Sequence, residues 1–224
     1  MKYANIKQGK FIDRPNRFIA HIDLDGTIAV CHVKNTGRCK ELLLPGATVF
    51  VEKSENPARK TQYDLIAVCK GDRLINIDSQ APNQVIKEWI PSFFSNLSLV
   101  KPEAKYGDSR FDFYLEANGK KIFAEVKGVT LEDNGVVLFP DAPTERGVKH
   151  LHELCHCIQY GYDAYLFFVV QMEKADYFTP NRRTHPAFAD ALAKAERQGV
   201  NLICVTCDVT PDTLAVKNFL PIKL

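Results

Sequence analysis

The chain has 224 residues, 46% of them hydrophobic and 25% charged, and a formal net charge of +2. That length can bury a sizeable core, in one large domain or two small ones. The near-neutral balance excludes a global basic field, so any nucleic-acid site must be a local patch. The N-terminal MKYANIKQGKFIDRPNRF lacks the apolar core of a signal peptide. The longest apolar run, AYLFFVV, suits a buried strand and is too short to span a bilayer. Seven scattered Cys with no export signal read as reduced thiols, so a cytoplasmic location with no membrane partner is expected.

In chain order, RFIAHID, TIAVCHV, ATVFVEK, YDLIAVCK and RLINID carry β-branched and aromatic residues. Turn signals DG, NTG, PG and GD separate them, so five short strands are predicted. They fit a small OB-like β-barrel over residues 1–80. SQAPNQVIKEWIPSFFSN then changes period: Val85, Ile86, Trp89, Ile90 and Phe93 recur at helical spacing, with Ser79 as a cap. A hairpin from about Arg110 to Lys127 and a strand at GVVLFPD follow. TERGVKHLHELCHCIQYG reads as a helix with Gly161 past its end. DAYLFFVVQ is a continuous apolar strand of the doubly covered, parallel type. HPAFADALAKAERQG is a helix, and VNLICVT a last strand. Residues 81–224 are thus predicted as a second domain of order αβββαβαβ. The chain as a whole reads as a two-domain α+β or α/β protein.

HIDLDGTIAV, residues 21–30, contains DLDGT, which resembles the first motif of the HAD-type phosphatases, with Asp23 as nucleophile. GDSRFD and Lys101–Pro102 resemble their later motifs. That fold needs helices between parallel strands, whereas residues 28–78 offer strands and turns. Asp25–Gly26 instead supplies the positive φ values of a type I′ hairpin turn. A phosphatase ranks third among the readings.

SRFDFYLEANGKKIFAEVKG, Ser109 to Gly128, carries the chemistry. Asn118–Gly119 is a two-residue hairpin turn signal. That register sets Leu115 opposite Ile122, Phe113 opposite Ala124, Asp112 opposite Glu125 and Arg110 opposite Lys127. Asp112, Glu125 and Lys127 then share one face, and Phe111, Phe113, Leu115, Ile122, Ala124 and Val126 the apolar other face. Two opposed carboxylates repel unless compensated. A Mg²⁺ or Mn²⁺ ion held by Asp112 and Glu125 would compensate them. Lys127 would then position a water or neutralise the transition state. A surface of ordinary ion pairs, Asp112 with Arg110 and Glu125 with Lys127, fits the spacing equally well.

SRFDF followed by EVKG resembles the D…ExK signature of the PD-(D/E)XK nucleases. KNTGR (34–38), RFDF (110–113), AEVKGVTL (124–131) and FPDAPTERGVKHLHEL (139–154), in this order, resemble the sugar fermentation stimulation protein A family. The resemblance implies an N-terminal OB-like barrel joined to a C-terminal restriction-endonuclease-like mixed sheet flanked by helices. It implies DNA binding, a link to regulation of sugar (maltose) metabolism, and catalytic roles for Asp112, Glu125 and Lys127. It places Glu103, Glu145 and Lys149 as accessory groups.

An OB-like barrel binds strands through basic loops and stacking aromatics. Lys34, Asn35, Arg38 and Lys40 around the NTG loop, Arg59 and Lys60 in a second loop, Phe18, His32, and Arg110 in the second domain are the candidates. A solvated rim for the charges and a core position for Phe18 are the plain alternatives. HELCH, His152 to His156, matches HExxH, but the apolar stripe of Val148, Leu151, Leu154, Cys155 and Ile158 puts both His on the exposed face. CVTC, Cys204 to Cys207, points its thiols to opposite faces of a strand, so these are read as buried. The reading that results is a DNA-binding protein with a Mg²⁺- or Mn²⁺-dependent nuclease-like site, acting on single- or double-stranded DNA. The competing reading is a regulator that binds DNA without cutting it. Homodimer formation is left open.

Overall fold

A computed structural model describes residues 1–35, 37–107 and 109–224. Thr36, within KNTGR, and Asp108, within GDSRFD, lie outside them. Strands β1 (Ile6–Asn16), β2 (Ile19–Leu24), β3 (Thr27–Val33), β4 (Thr48–Lys53) and β5 (Tyr63–Lys70) pair in the order β3-β2-β1-β4-β5. Parallel pairing of β3 with β5 closes them into an OB-like barrel. β6 (Arg73–Asn76) extends β5 outside the closure. Inward residues such as Ile22, Val33, Val49, Val51, Leu65 and Val68 are fully buried, each worth about 1.5–3 kcal/mol of transfer free energy.

β1 was not among the expected strands. Its outward residues are polar, and Gly9 and Pro15 read as breakers. Gly9 is there for close approach, since a Cβ would lie 2.6 Å from the Asp23 carbonyl oxygen. The Asp25–Gly26 turn forms as expected, with φ of 54° and 84°. Asp23 accepts the Gly26 N–H at 2.7 Å, so its carboxylate closes a barrel turn.

The second unit contains α1 (Ala81–Phe93), β7 (Leu97–Tyr106), β8 (Ser109–Ala117), β9 (Lys120–Val129), β10 (Leu131–Asp133) and β11 (Val136–Phe139). It continues with α2 (Glu145–Gln159), β12 (Asp163–Val170), β13 (Tyr177–Pro180), α3 (Pro186–Arg197), β14 (Asn201–Val209) and β15 (Leu214–Phe219). Its main sheet has the order β15-β14-β12-β9-β8-β7. β12 is parallel to both β9 and β14, which explains its unbroken apolar sequence. One face packs on α1, with Val85, Ile86 and Ile90 against Phe113, Leu115 and Phe167. The other packs on α2 and α3, with Leu151, Leu154 and Leu192 against Phe123 and Phe168. Cys204 and Cys207 are buried on opposite faces of β14.

Three expectations are corrected here. The strand after the hairpin, β11, belongs to a small sheet β10-β11-β13 and not to the main sheet. The missing core strand is β7, a mostly exposed edge whose sequence lacks an apolar run. Ser79 does not cap α1: its hydroxyl donates to the Lys34 carbonyl, and Asp78 Oδ1 accepts the Gln80 N–H at 2.9 Å. Phe111 does not share the apolar face of Phe113. It packs on Phe123 and His150 at the α2 side. Glu103, between the pairs Pro102–Phe113 and Ala104–Phe111, takes left-handed backbone at φ 53°.

The barrel and the second unit are joined through polar contacts. Lys70 and Arg73 each reach the buried Glu132 at 2.7 Å. Gln171 Nε2 donates to Asn76 Oδ1 at 2.8 Å and to the Asp78 carbonyl at 3.0 Å.

Candidate active site

The site is made by two strands that part. Asn118 and Gly119 turn the hairpin with φ of 51° and 73°, and Leu115–Ile122 and Phe113–Ala124 pair as the sequence predicts. Past Phe113, β9 continues along β12 while Phe111 and Arg110 pair with β7. The expected pairings Asp112–Glu125 and Arg110–Lys127 are absent from the ladder of the described residues. The gap lets the Asp112 side chain do what a strand carbonyl would have done: its Oδ2 accepts the Val126 N–H at 2.7 Å. Oδ1 accepts from Asn83 Nδ2 of α1 at 2.8 Å.

Glu125 is 3% exposed, against the solvated hairpin face that spacing allowed. Lys127 Nζ, 2.5 Å away, donates to its Oε1, and His150 Nδ1 of α2 bonds the same oxygen. Burial alone would raise the Glu125 pKa, but the bond from His150 and the charge of Lys127 outweigh it and hold the carboxyl below its ordinary range. Asp112 goes the other way. Burial, then the neighbouring Glu125 charge, push it up to about 6 against the bonds from Val126 and Asn83. One carboxylate is thus anchored as an anion and the other is held as an anion only at a cost.

That cost is measurable. A carboxyl with a raised pKa stabilises the fold most below its unfolded value near 4, and loses that contribution as pH rises towards 6. Asp112→Asn is therefore expected to stabilise the metal-free chain at pH 8 by on the order of 1–3 kcal/mol. The Asn can accept from Val126 and donate to a flipped Asn83. Thermal unfolding in EDTA should show the variant above the wild type at pH 8 and the gap narrowing at pH 5. A variant less stable at pH 8 contradicts this.

Neighbouring carboxylates are donors of the kind a hard divalent cation takes. Glu125 Oε2 is buried and has no hydrogen-bond partner, and an orphaned carboxylate oxygen is the donor such a cation takes. Among the described residues no group of three or more His, Cys, Asp or Glu is placed to hold a metal, so the remaining positions would fall to water and substrate oxygens. The accessory candidates are engaged elsewhere. Glu103 pairs with Arg110 at 2.9 Å. Glu145, 88% exposed, lies 3.2 Å from His185. Lys149 is exposed on α2, 3.7 Å from Glu153.

Two family models cover most of the chain: an SfsA N-terminal OB domain over residues 12–77 and a sugar fermentation stimulation protein RE domain over residues 80–213. The chain belongs to the sugar fermentation stimulation protein family. Family members from Clostridium beijerinckii and Desulfitobacterium hafniense are 58% and 56% identical. The first alignment covers 100% of both chains, and the second covers 100% of this chain and 99% of its relative. A solved relative, the structure of Pyrococcus furiosus SfsA in complex with Ca²⁺, matches the fold with a TM-score of 0.90. It is 23% identical, and the match covers 100% of this chain and 98% of that one. No helix among the described residues is long and apolar enough to cross a membrane.

In the OB barrel of this family member the nucleic-acid candidates divide. Lys34 and Arg59 are occupied by the buried Asp64, at 3.2 Å and 2.6 Å, and His32 lies 3.3 Å from it. Asn35 bonds the Ile77 carbonyl and the Gly37 N–H. Phe18 is 52% exposed, not a core residue. Lys60 is exposed. Arg38 and Lys40 line an open groove of about 820 Å³ between barrel and second unit, with Arg17 and residues 139–144. At its basic edge the Arg14 guanidinium donates to the carbonyls of Arg17, Asn35, Gly37 and Arg38 at 2.7–3.0 Å. Arg14, Arg17, Asn83 and His150 escaped the sequence reading. His150 had a signal, since Gly147, His150 and Leu154 follow the helix period of the buried stripe.

Proposed function

We propose that this chain is a divalent-metal-dependent nuclease that hydrolyses phosphodiester bonds in DNA. The observation that carries the reading is the buried, partnerless Oε2 of Glu125 beside Asp112 and Lys127. Glu125 and Asp112 would hold Mg²⁺ or Mn²⁺, and the solved family member's Ca²⁺ is a cation of the same hard class. When bound, such an ion polarises the phosphate and makes a nucleophilic water available at neutral pH. Lys127 orients that water and offsets the charge that develops on the phosphate oxygens. In the metal-free chain burial and the Glu125 charge push Asp112 up to about 6, so a cation must displace a proton there and metal affinity should weaken as pH falls below about 6. Incubation of single- and double-stranded DNA with Mg²⁺ or Mn²⁺ tests the reading: fragments that form with metal and not with EDTA support it, and intact DNA under every metal opposes it.

The basic groove favours a second component, DNA held along Arg17, Arg38 and Lys40. Each phosphate that the protein no longer neutralises should lower the slope of log K against log salt by about 0.9 on duplex DNA. Arg38→Glu with Lys40→Glu is expected to weaken binding of all sequences alike and flatten that slope, read by fluorescence anisotropy. An unchanged slope places the DNA elsewhere. Binding that survives with no cleavage under any metal would make the chain a DNA-binding regulator instead.

A further inference from the structure

His150 lies in the buried stripe of α2 with Gly147, Leu151 and Leu154. A buried imidazole needs a partner at each nitrogen. Nδ1 bonds Glu125 Oε1, and Nε2 lies 3.3 Å from Arg146 Nε. A guanidinium carries donors and no acceptor. Nε2 must therefore accept, and the ring proton sits on Nδ1. His150 thus donates from Nδ1 to Glu125. Lys127 donates to the same oxygen. The buried His150 ring, packed on Phe111, fixes the direction of Oε1 and leaves Oε2 as the open atom, while Lys127 reaches the same oxygen on a flexible stem.

We propose that His150 is a positioning residue that locks Glu125 so that Oε2 faces the cation and the scissile phosphate. The proposal rests on the nuclease reading of Glu125. Partners that fix the orientation of a ligand are generally worth 10- to 100-fold in metal affinity. His150 would play that part from the carboxylate's side, with Arg146 selecting its tautomer.

Two variants separate this from plain packing. His150→Phe keeps the bulk and removes the donor. His150→Asn loses bulk but sets an amide N–H near the place of Nδ1–H. Mn²⁺ binding to the full chain is measured by titration calorimetry. The Phe variant should bind about 10- to 100-fold more weakly and the Asn variant within about threefold of the wild type. An Asn variant as weak as the Phe variant, or a Phe variant as tight as the wild type, overturns the proposal. A ¹⁵N correlation spectrum of the metal-free chain reads the tautomer directly. A proton on Nδ1 is expected; a ring whose Nδ1 carries no proton overturns it. No Mn²⁺ binding by the wild type would overturn the metal reading itself, and the spectrum alone would then decide whether His150 anchors Glu125.

Discussion

Glu125→Gln is expected to lose Mn²⁺ binding and DNA cleavage together, while Lys127→Ala keeps Mn²⁺ binding and loses cleavage. The difference follows from which oxygen is occupied. Oε1 of Glu125 receives donors from His150 and Lys127. A glutamine must turn its carbonyl oxygen to those donors, so its NH₂ takes the place of Oε2 and points donor hydrogens at the cation. Affinity should fall at least about 100-fold, the upper end of what a partner's loss costs, since here the ligand itself is removed. In the proposed mechanism Lys127 contributes charge to the phosphate and no ligand to the metal, so its loss should cost about 100- to 1000-fold in rate. Titration calorimetry with Mn²⁺ and the nicking rate of plasmid DNA, both on the full chain, give the two readouts. Loss of metal binding in Lys127→Ala would mean that the lysine holds Glu125 in place and does not act on substrate.

Asp64→Asn carries the largest expected cost in stability. Asp64 is 4% exposed and takes both guanidinium nitrogens of Arg59, at 3.0 Å and 2.6 Å. Burial would raise its pKa, but the Arg59 bonds and the Lys34 charge hold it below the ordinary range. Removing one member of a buried pair costs about 3–5 kcal/mol. Arg59 and Lys34 retain some solvent, so about 2–4 kcal/mol is expected, read by chemical denaturation at pH 7. A carboxyl with a lowered pKa supplies its stability above the unfolded value near 4 and loses it as pH falls through the folded value. The gap between wild type and variant should therefore shrink below about pH 4. DNA affinity measured below the unfolding transition should not fall, because Lys34 and Arg59 are freed and not removed. A variant as stable as the wild type would show that these charges are solvated individually.

Much of this was legible in the sequence, and the gaps have physical causes. The hairpin register was readable because Asn118–Gly119 permits one tight turn and the apolar alternation on both sides agrees with it. Its splay was not, because the departure of β9 towards β12 is decided by a partner strand far along the chain. β1 and β7 were missed for one reason: both are polar strands, and the apolar pattern that marks a strand reports burial and not hydrogen bonding. Lys34, His32 and Arg59 looked like a binding loop since sequence displays charges without their partners. Asp64, which neutralises them, sits inside an apolar β5. His150 was passed over beside the more conspicuous His152 and His156, which the structure leaves exposed.

The proposed roles of Asp112, Glu125 and Lys127 in a metal-dependent hydrolytic site are tested most directly by incubating DNA and Mn²⁺ with the wild type and with Lys127→Ala prepared in parallel. Fragments from the wild type, suppressed by EDTA, and intact DNA from the variant are expected. Equal cleavage by both, or intact DNA with both, contradicts those roles.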